Sequence, residues 1–284
     1  AVAPDARVVI LGTGLTAADV IASLDRQGHR GPIVALSRRG LRSRGHPKIA
    51  AEPFGDFTQA PPRASGLLRA IRRTIGAAEA QGLSWHPVLD AVRAHAQTFW
   101  PALPPAEQSR IVRHLRAFWD VHRFRIAPQV EAVLDRRIAE GNLRVLAASV
   151  VSAGRAGDAV AIVVRHRRGG ATETLHADRV IVTTGPAHGK IFATQGFLAG
   201  LAAAGLAKPD HLGLGIAVDT ECRALDAGGQ PHATLFVAGP LARATFGELM
   251  GLPQVSEHAR RVAERLSHAL YASDAEARRS VEVV

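Results

Sequence analysis

Residues 8–20 read VVILGTGLTAADV, and this stretch constrains the fold more than any other part of the sequence. Four apolar residues, typical of a strand buried on both faces, run directly into a Gly-x-Gly-x-x-Ala loop. Apolar residues then recur at helical spacing up to Gly28, and a second apolar run follows at 33–37. A strand, a glycine turn, a helix and a strand within about thirty residues predict a βαβ unit of a parallel sheet.

The glycine loop predicts an anion-binding turn. Gly12 permits a tight turn, Gly14 leaves room for a pyrophosphate, and the small Ala17 lets the helix pack close to the strand. Thr16 and Asp19 are spaced as in a capping box and are expected to begin this helix, whose N-terminus would favour a negative charge. A turn without a ligand would also use glycine, but the flanking strand and helix favour a dinucleotide site. The predicted contacts are Gly12, Thr13, Gly14, Leu15, Thr16 and Ala17.

The residues that end the second strand indicate which dinucleotide is bound. An NAD site usually has Asp or Glu at this point, to bind the 2′-hydroxyl of the ribose. This chain has Ser37, Arg38 and Arg39, whose hydroxyl and guanidinium groups would instead bind a 2′-phosphate. The sequence therefore favours NADP(H). The alternative is that both arginines belong to the general surface charge, because the chain contains 35 lysines and arginines.

The rest of the chain predicts an α/β fold. Helical spacing begins near Pro61 and stops at Gly141, and strands are expected at 143–152, 159–167, 171–176, 179–185 and 233–239. A last helix is expected from Pro253, with a buried stripe formed by Val255, Ala259, Val262, Ala263 and Leu266. The predicted organisation is a Rossmann-like NAD(P)-binding domain with a helical insertion and a β-meander. Its domains would be 1–55 with 142–190, the helical insertion 56–141, and a C-terminal part at 191–284.

Composition argues against several classes of function. A net charge of +10 would suit nucleic acid, but the arginines alternate with apolar residues at helical spacing, which indicates solvated helix faces. Cys222 is the only cysteine, so an intrachain disulfide is excluded. No apolar run is long enough to span a bilayer and no signal-type segment precedes residue 8, so a cytoplasmic protein without a membrane partner is expected. His114 and His122 lack the spacing of metal ligands, and no metal is expected.

Several segments together resemble the FAD/NAD(P)-binding proteins related to flavin monooxygenases and pyridine nucleotide reductases. They are GTGLTAADV, ALSRRG, RVIVTTGP, and LFVAGPL followed by a helix. In that family an NAD(P)H domain is inserted into an FAD domain, and the resemblance implies that the glycine loop and residues 37–39 belong to the NAD(P)H domain. It further implies that Thr184, Gly185 and Pro186 lie at the return crossing and that Gly239 and Pro240 form a late flavin-contacting turn.

The chain departs from this family in having no earlier glycine fingerprint for the FAD pyrophosphate. Only seven residues precede Val8. The chain is therefore expected to be a fragment of a longer flavoprotein, and FAD is expected only if the missing N-terminal portion is supplied. The alternative is a naturally short relative that binds NADP(H) without stable FAD. Such a short form would need to cover an exposed sheet edge, for example by forming a homo-oligomer.

Two functions follow from these observations. The first is an NADPH-dependent flavoprotein oxidoreductase, or its NADPH-binding portion, that passes hydride from NADPH to FAD. Its electron acceptor and its catalytic residues are not identified, because the cofactors carry the redox chemistry. The second is a non-catalytic NADP(H)-binding or sensing protein. A substrate pocket and ordinary helix packing are the two interpretations of Trp85, Trp100, Trp119, His122, Arg123 and Arg125, and packing is favoured for the tryptophans.

Overall fold

A computed structural model describes residues 2–185 and 188–281 of the chain. Its contacts divide the chain into two compact units. The first unit comprises Ala1–Glu52, Gly82–Leu89 and His114–Gly185, and the second comprises Pro53–Gln81, Asp90–Arg113 and Pro186–Val284. The predicted βαβ unit and the predicted meander therefore lie together in the first unit.

Ten helices are found among the described residues. They are α1 (Leu15–Arg26), α2 (Ala64–Glu79), α3 (His86–Ala102), α4 (Pro105–His114), α5 (Arg116–Arg123), α6 (Pro128–Ala139), α7 (Ile191–Thr194), α8 (Gly196–Ala203), α9 (Arg243–Phe246) and α10 (Leu252–Val281). Helices α2 to α6 occupy the region in which the sequence predicts helical structure. None of the helices in the described part of the chain is both long and apolar enough to cross a membrane.

Six strands form one mixed sheet in the first unit. They are β1 (Val8–Leu11), β2 (Ile33–Ser37), β3 (Leu143–Ala156), β4 (Ala159–His166), β5 (Thr172–Ala177) and β6 (Arg179–Val182). The strand order is β5-β4-β3-β2-β1-β6. The pairs β1–β2, β1–β6 and β2–β3 are parallel, and the pairs β3–β4 and β4–β5 are antiparallel. The predicted α/β class, with a Rossmann-like sheet interrupted by a meander, is confirmed.

The long strand β3 joins the parallel and the antiparallel parts of the sheet. Its first residues, Leu143 to Ala147, pair with β2, and from Ala148 onward it pairs with β4. A register shift between Val150 and Ser152 interrupts the second pairing, and such a bulge increases the local twist. The sheet curls as a result. Residues of the meander then share a hydrophobic core with Val9 and Leu36 of the parallel strands.

The opposite face of the parallel strands is covered by α1 and α6. Val8 and Ile10 point to this face, as alternation along a strand requires, and they pack with Ile21 of α1 and Leu134 of α6. The small Ala17 is 1% exposed within the same core. The predicted reason for a small residue at position 17, close packing of helix on strand, agrees with this burial.

Arg137 of α6 is buried to 1% exposure and ties α6 to the chain between α1 and β2. Its guanidinium donates to the carbonyl oxygens of His29 at 2.8 Å and Gly31 at 2.7 Å. Both carbonyls are backbone acceptors next to β2. The guanidinium therefore fixes the start of the central strand.

The second unit has its own core and a small sheet. Strand β7 (Arg223–Leu225) pairs antiparallel with β8 (Pro231–Phe236). Residues of these strands share a core with residues of α8, α9, α10 and the loop before α10. This core includes Leu198, Ala224, Phe246, Leu249 and Val262. The sequence predicts a strand at 233–239, whereas β8 begins at Pro231 and ends at Phe236. The short partner strand β7 is not predicted.

Three other local expectations are wrong. Helix α1 begins at Leu15, and its N-cap is Gly14 with no capping side chain, so Thr16 and Asp19 form no capping box. Strand β3 continues to Ala156, through part of a predicted turn. Within residues 252–271 of α10, the buried residues are His258 and Val262. Val255 of the expected stripe is half-buried, and the other stripe residues are exposed, namely Ala259, Ala263 and Leu266.

Candidate functional site

The glycine loop lies where the order of the parallel strands reverses. From β1 the chain proceeds outward through β2 to β3, and it returns to the other side of β1 with β6. In open α/β sheets, ligands bind outside the carboxyl ends of the strands at such a switch point. The loop from Gly12 to Gly14 follows β1 at this position. The topology therefore places the predicted dinucleotide loop at the edge where a ligand is expected.

Gly12 is required by the protein itself. Its φ is +125°, and a Cβ at this position would lie 2.3 Å from Thr183 Oγ1 and 2.8 Å from the Thr183 carbonyl oxygen. The Gly12 N–H donates to the carbonyl of Leu36 at 2.8 Å, and Thr183 donates to the carbonyl of Leu11. Gly12 is thus enclosed between the ends of β2 and β6. Any larger residue would push the loop away from the sheet.

Gly14 has no comparable explanation inside the protein. Its φ of −88° is ordinary for any residue, and a Cβ there would meet nothing within 4 Å. The residue is exposed and forms the N-cap of α1. The space that this glycine leaves open therefore faces solvent. A missing side chain at an exposed turn is the geometry that lets a ligand approach the backbone closely.

The N-terminus of α1 is suited to an anion. The helix has twelve residues, no side chain caps its first turn, and that turn contains no acidic residue. The first N–H groups of a helix have no partner within the helix, and its dipole places partial positive charge at this end. Leu15 and Thr16 are exposed beside them, while Ala17 is buried. An anion at Gly14 would supply the missing acceptors.

Two hydroxyl groups connect the glycine loop to the end of β2. Thr13 Oγ1 lies 2.8 Å from Ser37 Oγ, and Thr13 also donates to the carbonyl of Leu41. Ser37 Oγ accepts the N–H of Gly40 at 3.0 Å. Gly40 has a φ of +61°, and a Cβ there would lie 2.7 Å from the backbone N of Ala147. The turn that carries Arg38 and Arg39 is therefore held on both sides.

The two predicted phosphate-binding arginines differ in their surroundings. Arg38 is exposed, whereas Arg39 is half-buried. The guanidinium carbon of Arg39 lies 5.2 Å from the centre of the Phe118 ring. Both arginines follow β2 directly, at the same edge of the sheet as the glycine loop. The structure thus brings the 37–39 segment and the loop together, as the predicted site requires.

Two of the three residues predicted at the return crossing, Thr184 and Gly185, lie within the described part of the chain. Thr184 and Gly185 follow β6, which pairs with β1, so both lie beside the glycine loop. Both are exposed, and Gly185 has a φ of +70°. Pro186 lies outside the described residues. Thr183, which no sequence motif indicates, is the residue of this segment that contacts the loop directly.

The predicted flavin turn belongs to the second unit. Gly239 is buried with a φ of +83°, and its N–H donates to His258 Nδ1 at 3.1 Å. The other ring nitrogen, Nε2, lies 3.6 Å from Cys222 Sγ. Burial raises the pKa of the Cys222 thiol, and burial together with Arg261 lowers the pKa of His258. Both groups are thus held neutral near pH 7, and the N–H of Gly239 is engaged within the chain. Pro240 follows and is half-buried.

The tryptophans fall into different environments. In the first unit the Trp85 ring meets the His122 ring edge-on at 4.8 Å, and the Arg125 guanidinium lies 5.4 Å from the centre of Trp85. In the second unit Trp100 is buried, and its Nε1–H donates to the carbonyl of Ala244 at 2.8 Å. Trp100 therefore has a packing role. No group of three or more metal-ligating side chains is found among the described residues.

Solved structures share this fold. The chain is similar to the ornithine N-hydroxylase KtzI of Kutzneria sp. 744, with a TM-score of 0.56 and 15% identity over 95% of this chain and 55% of that one. It is also similar to an L-lysine 6-monooxygenase from Pseudomonas syringae, with a TM-score of 0.55 and 16% identity over 94% and 54% of the two chains. For the reduced ornithine hydroxylase PvdA of Pseudomonas aeruginosa the TM-score is 0.57, with 14% identity over 93% and 53%.

The chain spans about half the length of these solved structures. No protein-family model matches the sequence, and no curated protein matches it. The structural likeness covers nearly all of this chain, and the KtzI structure holds both reduced FAD and NADP⁺. The chain therefore shares the fold of about half of each of these monooxygenases.

Proposed function

We propose that the chain binds NADPH at the carboxyl edge of its parallel strands, as the nicotinamide-nucleotide portion of a flavoprotein oxidoreductase. The observation that carries this proposal is Gly14. It has an ordinary φ and no neighbour within 4 Å, so neither backbone strain nor packing requires a glycine there, and its N-cap position favours glycine over alanine by only up to about 1 kcal/mol. A pyrophosphate approaching the uncapped start of α1 would give a further reason for glycine.

The residues present fit the phosphates of NADPH. Gly14 and the first N–H groups of α1 would hold the pyrophosphate, and Thr184 and Gly185 would border the nucleotide at the end of β6. Arg38 and Arg39 would bind the 2′-phosphate through charge-assisted hydrogen bonds, each contributing about 1.5–3 kcal/mol. When bound, NADPH supplies the hydride, and the residues of this chain bind and orient it.

The fit to FAD rests on fewer residues. The turn at Gly239 and Pro240 is the part of this sequence that we assign to flavin contact, and its Gly239 N–H already donates to His258. We therefore propose FAD binding only together with an FAD-type glycine fingerprint, which this sequence does not contain. Among the solved N-hydroxylases with this fold, KtzI holds both nucleotides, which supports the pairing of NADPH with FAD.

The domain organisation that we propose follows the sequence. Residues 1–55 and 142–190 would form the NAD(P)H domain, 56–141 the helical insertion and 191–284 the end of an FAD-type domain. We propose that the protein acts in the cytoplasm and that its partner is a small-molecule nucleotide. Its oligomeric state would be a monomer or a homo-oligomer. The electron acceptor is left open.

The proposal is tested by nucleotide affinity. Calorimetric titration of the protein with NADPH and NADH should show tighter binding of NADPH. The double variant Arg38→Ala with Arg39→Ala should weaken NADPH binding at least about tenfold, equivalent to about 1.4 kcal/mol, and leave NADH nearly unchanged. Equal losses for both nucleotides would remove the assignment of the 2′-phosphate site.

A control variant with the same loss of charge distinguishes a direct contact with the 2′-phosphate from the effect of the protein's overall positive charge. Arg26 is exposed at the C-terminal end of α1, and Arg155 is exposed near the end of β3, both away from the glycine loop. Replacing both by alanine removes the same net charge from the same unit. The control variant should bind NADPH like the unmodified protein at physiological salt, because distant surface charges are screened there.

A non-catalytic NADP(H)-binding protein is the second candidate. It is favoured by the turn at Gly239, whose N–H already donates to His258 and so is not available to a flavin. Purified protein with a flavin absorbance band that bleaches on NADPH addition supports the oxidoreductase. Colourless protein that binds NADPH and takes up no added FAD supports either the sensing function or the NADPH-binding portion of an oxidoreductase on its own.

A further inference from the structure

Helix α5 places an aromatic ring beside the predicted 2′-phosphate site. The Arg39 guanidinium carbon lies 5.2 Å from the centre of the Phe118 ring, within the range of a cation–π contact. Phe118 is 44% exposed, so a large part of its ring stays open to solvent instead of being buried in a core. The ring belongs to the helical region of the chain, to which the sequence gives no role.

Backbone hydrogen bonds hold α5 against the segment that follows β2. The N–H of Arg44 donates to the carbonyl of Val121 at 2.8 Å, and the N–H of Ile126 donates to the carbonyl of Arg44 at 2.9 Å. The His122 ring donates from Nδ1 to the carbonyl of Phe118 at 2.7 Å. The position of Phe118 relative to the turn after β2 is therefore set by the fold.

We infer that Phe118 is a positioning residue that orients Arg39 toward the 2′-phosphate of NADPH and so contributes to the discrimination between NADPH and NADH. This inference rests on the proposed function. A guanidinium is planar, and an aromatic ring contacts its face without using the N–H groups at its edge, which are the donors that bind phosphate oxygens. Without the ring, Arg39 would lose one of the contacts that orient it, and a phosphate would have to order more of the side chain on binding.

The expected effect is small and specific. A cation–π contact at an exposed site contributes about 0.5–1 kcal/mol, which corresponds to an affinity change of about twofold to fivefold. Phe118→Leu should therefore raise the Kd for NADPH by about that factor and leave the Kd for NADH unchanged. Phe118→Tyr keeps an aromatic face and should retain the affinity of the unmodified protein.

The matched control is Phe124 on the same segment. The Arg123 guanidinium lies 4.3 Å from the Phe124 ring centre, so Phe124→Leu removes a similar contact that does not involve Arg39. This variant should leave the ratio of NADPH to NADH affinity unchanged. Circular dichroism and a thermal melt of each variant identify any loss of folding.

Adenosine 2′,5′-bisphosphate and 5′-AMP are the most direct probes, because they differ only in the 2′-phosphate. Phe118→Leu should weaken the bisphosphate alone. Equal weakening of both probes would show that Phe118 contacts adenine or supports the fold, and it would overturn the inference. Unchanged binding of both probes would overturn it too.

A double-mutant cycle with Arg39→Ala provides a second test. If Phe118 acts through Arg39, then Phe118→Leu should have no further effect on the affinity ratio in the Arg39→Ala background. A full additional loss in that background would contradict the positioning role. If the unmodified protein shows no preference for NADPH over NADH, the proposed function fails instead. That outcome is distinguishable from a failure of the inference alone.

Discussion

Replacing each glycine of the loop by alanine should change a different property. Gly12→Ala should lower the stability of the fold, and Gly14→Ala should weaken NADPH binding. Gly12→Ala places a methyl group 2.3 Å from Thr183 Oγ1, at a φ of +125°. The unfavourable φ costs about 1–3 kcal/mol, and overpacking adds about 1–3 kcal/mol. The sum of about 2–6 kcal/mol is a large share of a typical stability of about 5–15 kcal/mol. Gly12→Ala should therefore lower the apparent Tm by at least about 4 °C.

Gly14→Ala should leave the fold intact and impair binding. Alanine is a poorer N-cap than glycine by up to about 1 kcal/mol, but it also restricts the unfolded chain, which returns about 0.4–1 kcal/mol. The net change in stability should stay within about 1 kcal/mol. A methyl group facing the pyrophosphate should remove at least one charge-assisted hydrogen bond, raising the Kd for NADPH about tenfold to a hundredfold.

The assay pairs a thermal melt with an NADPH titration for each variant. Gly154→Ala is the matched control, because Gly154 also has no neighbour within 4 Å and no positive φ, and it lies in the same unit on β3. The control should leave the affinity for NADPH unchanged and should not lower the apparent Tm, because alanine at a compatible strand position stabilises the fold slightly. If Gly14→Ala binds NADPH like the unmodified protein, no anion approaches this loop, and the central argument for the proposed function is lost. If it melts as early as Gly12→Ala, Gly14 has a structural role.

Two further predictions concern stability in the first unit. Arg137→Met should leave the carbonyls of His29 and Gly31 buried without their donor, at about 1–3 kcal/mol each, and Arg137→Lys should restore at most one of them because lysine lacks the planar fork. Urea denaturation measures both, and a midpoint for Arg137→Met equal to that of the unmodified protein would contradict this account. Hydrogen bonds from Arg7 lower the pKa of Asp178 to about 2 from 3.8, so the stabilisation is complete above pH 3.8 and is lost as pH falls toward 2. Asp178→Asn should remove this acid dependence of the melting temperature at low ionic strength, and an unchanged pH profile would refute the assignment.

The parallel part of the fold could be predicted because its residues carry strong local signals. Strands β1 and β2 are continuous apolar runs with a glycine turn and a helix between them, and their observed bounds match the predicted ones. Burial on both faces imposes that composition on a central strand. The same reasoning located the loop, since its glycines stand directly between a strand and a helix.

The exposed hairpin was harder to predict because its signal is weak. Residues 149–156 of β3 are exposed, and the glycine and arginine among them place the predicted end of the strand at residue 152, four residues before its observed end. The turn itself is only Gly157 and Asp158, between the paired residues Ala156 and Ala159. Gly157 has a φ of +63°, as the first central position of a type II′ turn requires. The Gly-Asp pair was the usable signal in this region.

Burial of His258 could not be predicted from spacing on α10. An apolar stripe was expected to be buried there, and only Val262 of it is fully buried. A histidine can take such a position when its ring nitrogens have partners, and those partners are the N–H of Gly239 and the thiol of Cys222. Both lie far from His258 in sequence. Thr183 was missed for the same reason, because its contact with Gly12 depends on the pairing of β6 with β1.

Discrimination between NADPH and NADH at this site depends more on the arginines than on Ser37. The Ser37 hydroxyl already accepts the Gly40 N–H and lies 2.8 Å from Thr13 Oγ1, so little of its bonding capacity remains for a phosphate. Its principal effect is to fix the turn on which Arg38 and Arg39 stand. Because a 2′-phosphate carries the charge that distinguishes the two nucleotides, the guanidinium groups supply the selective interaction and the serine supplies its geometry.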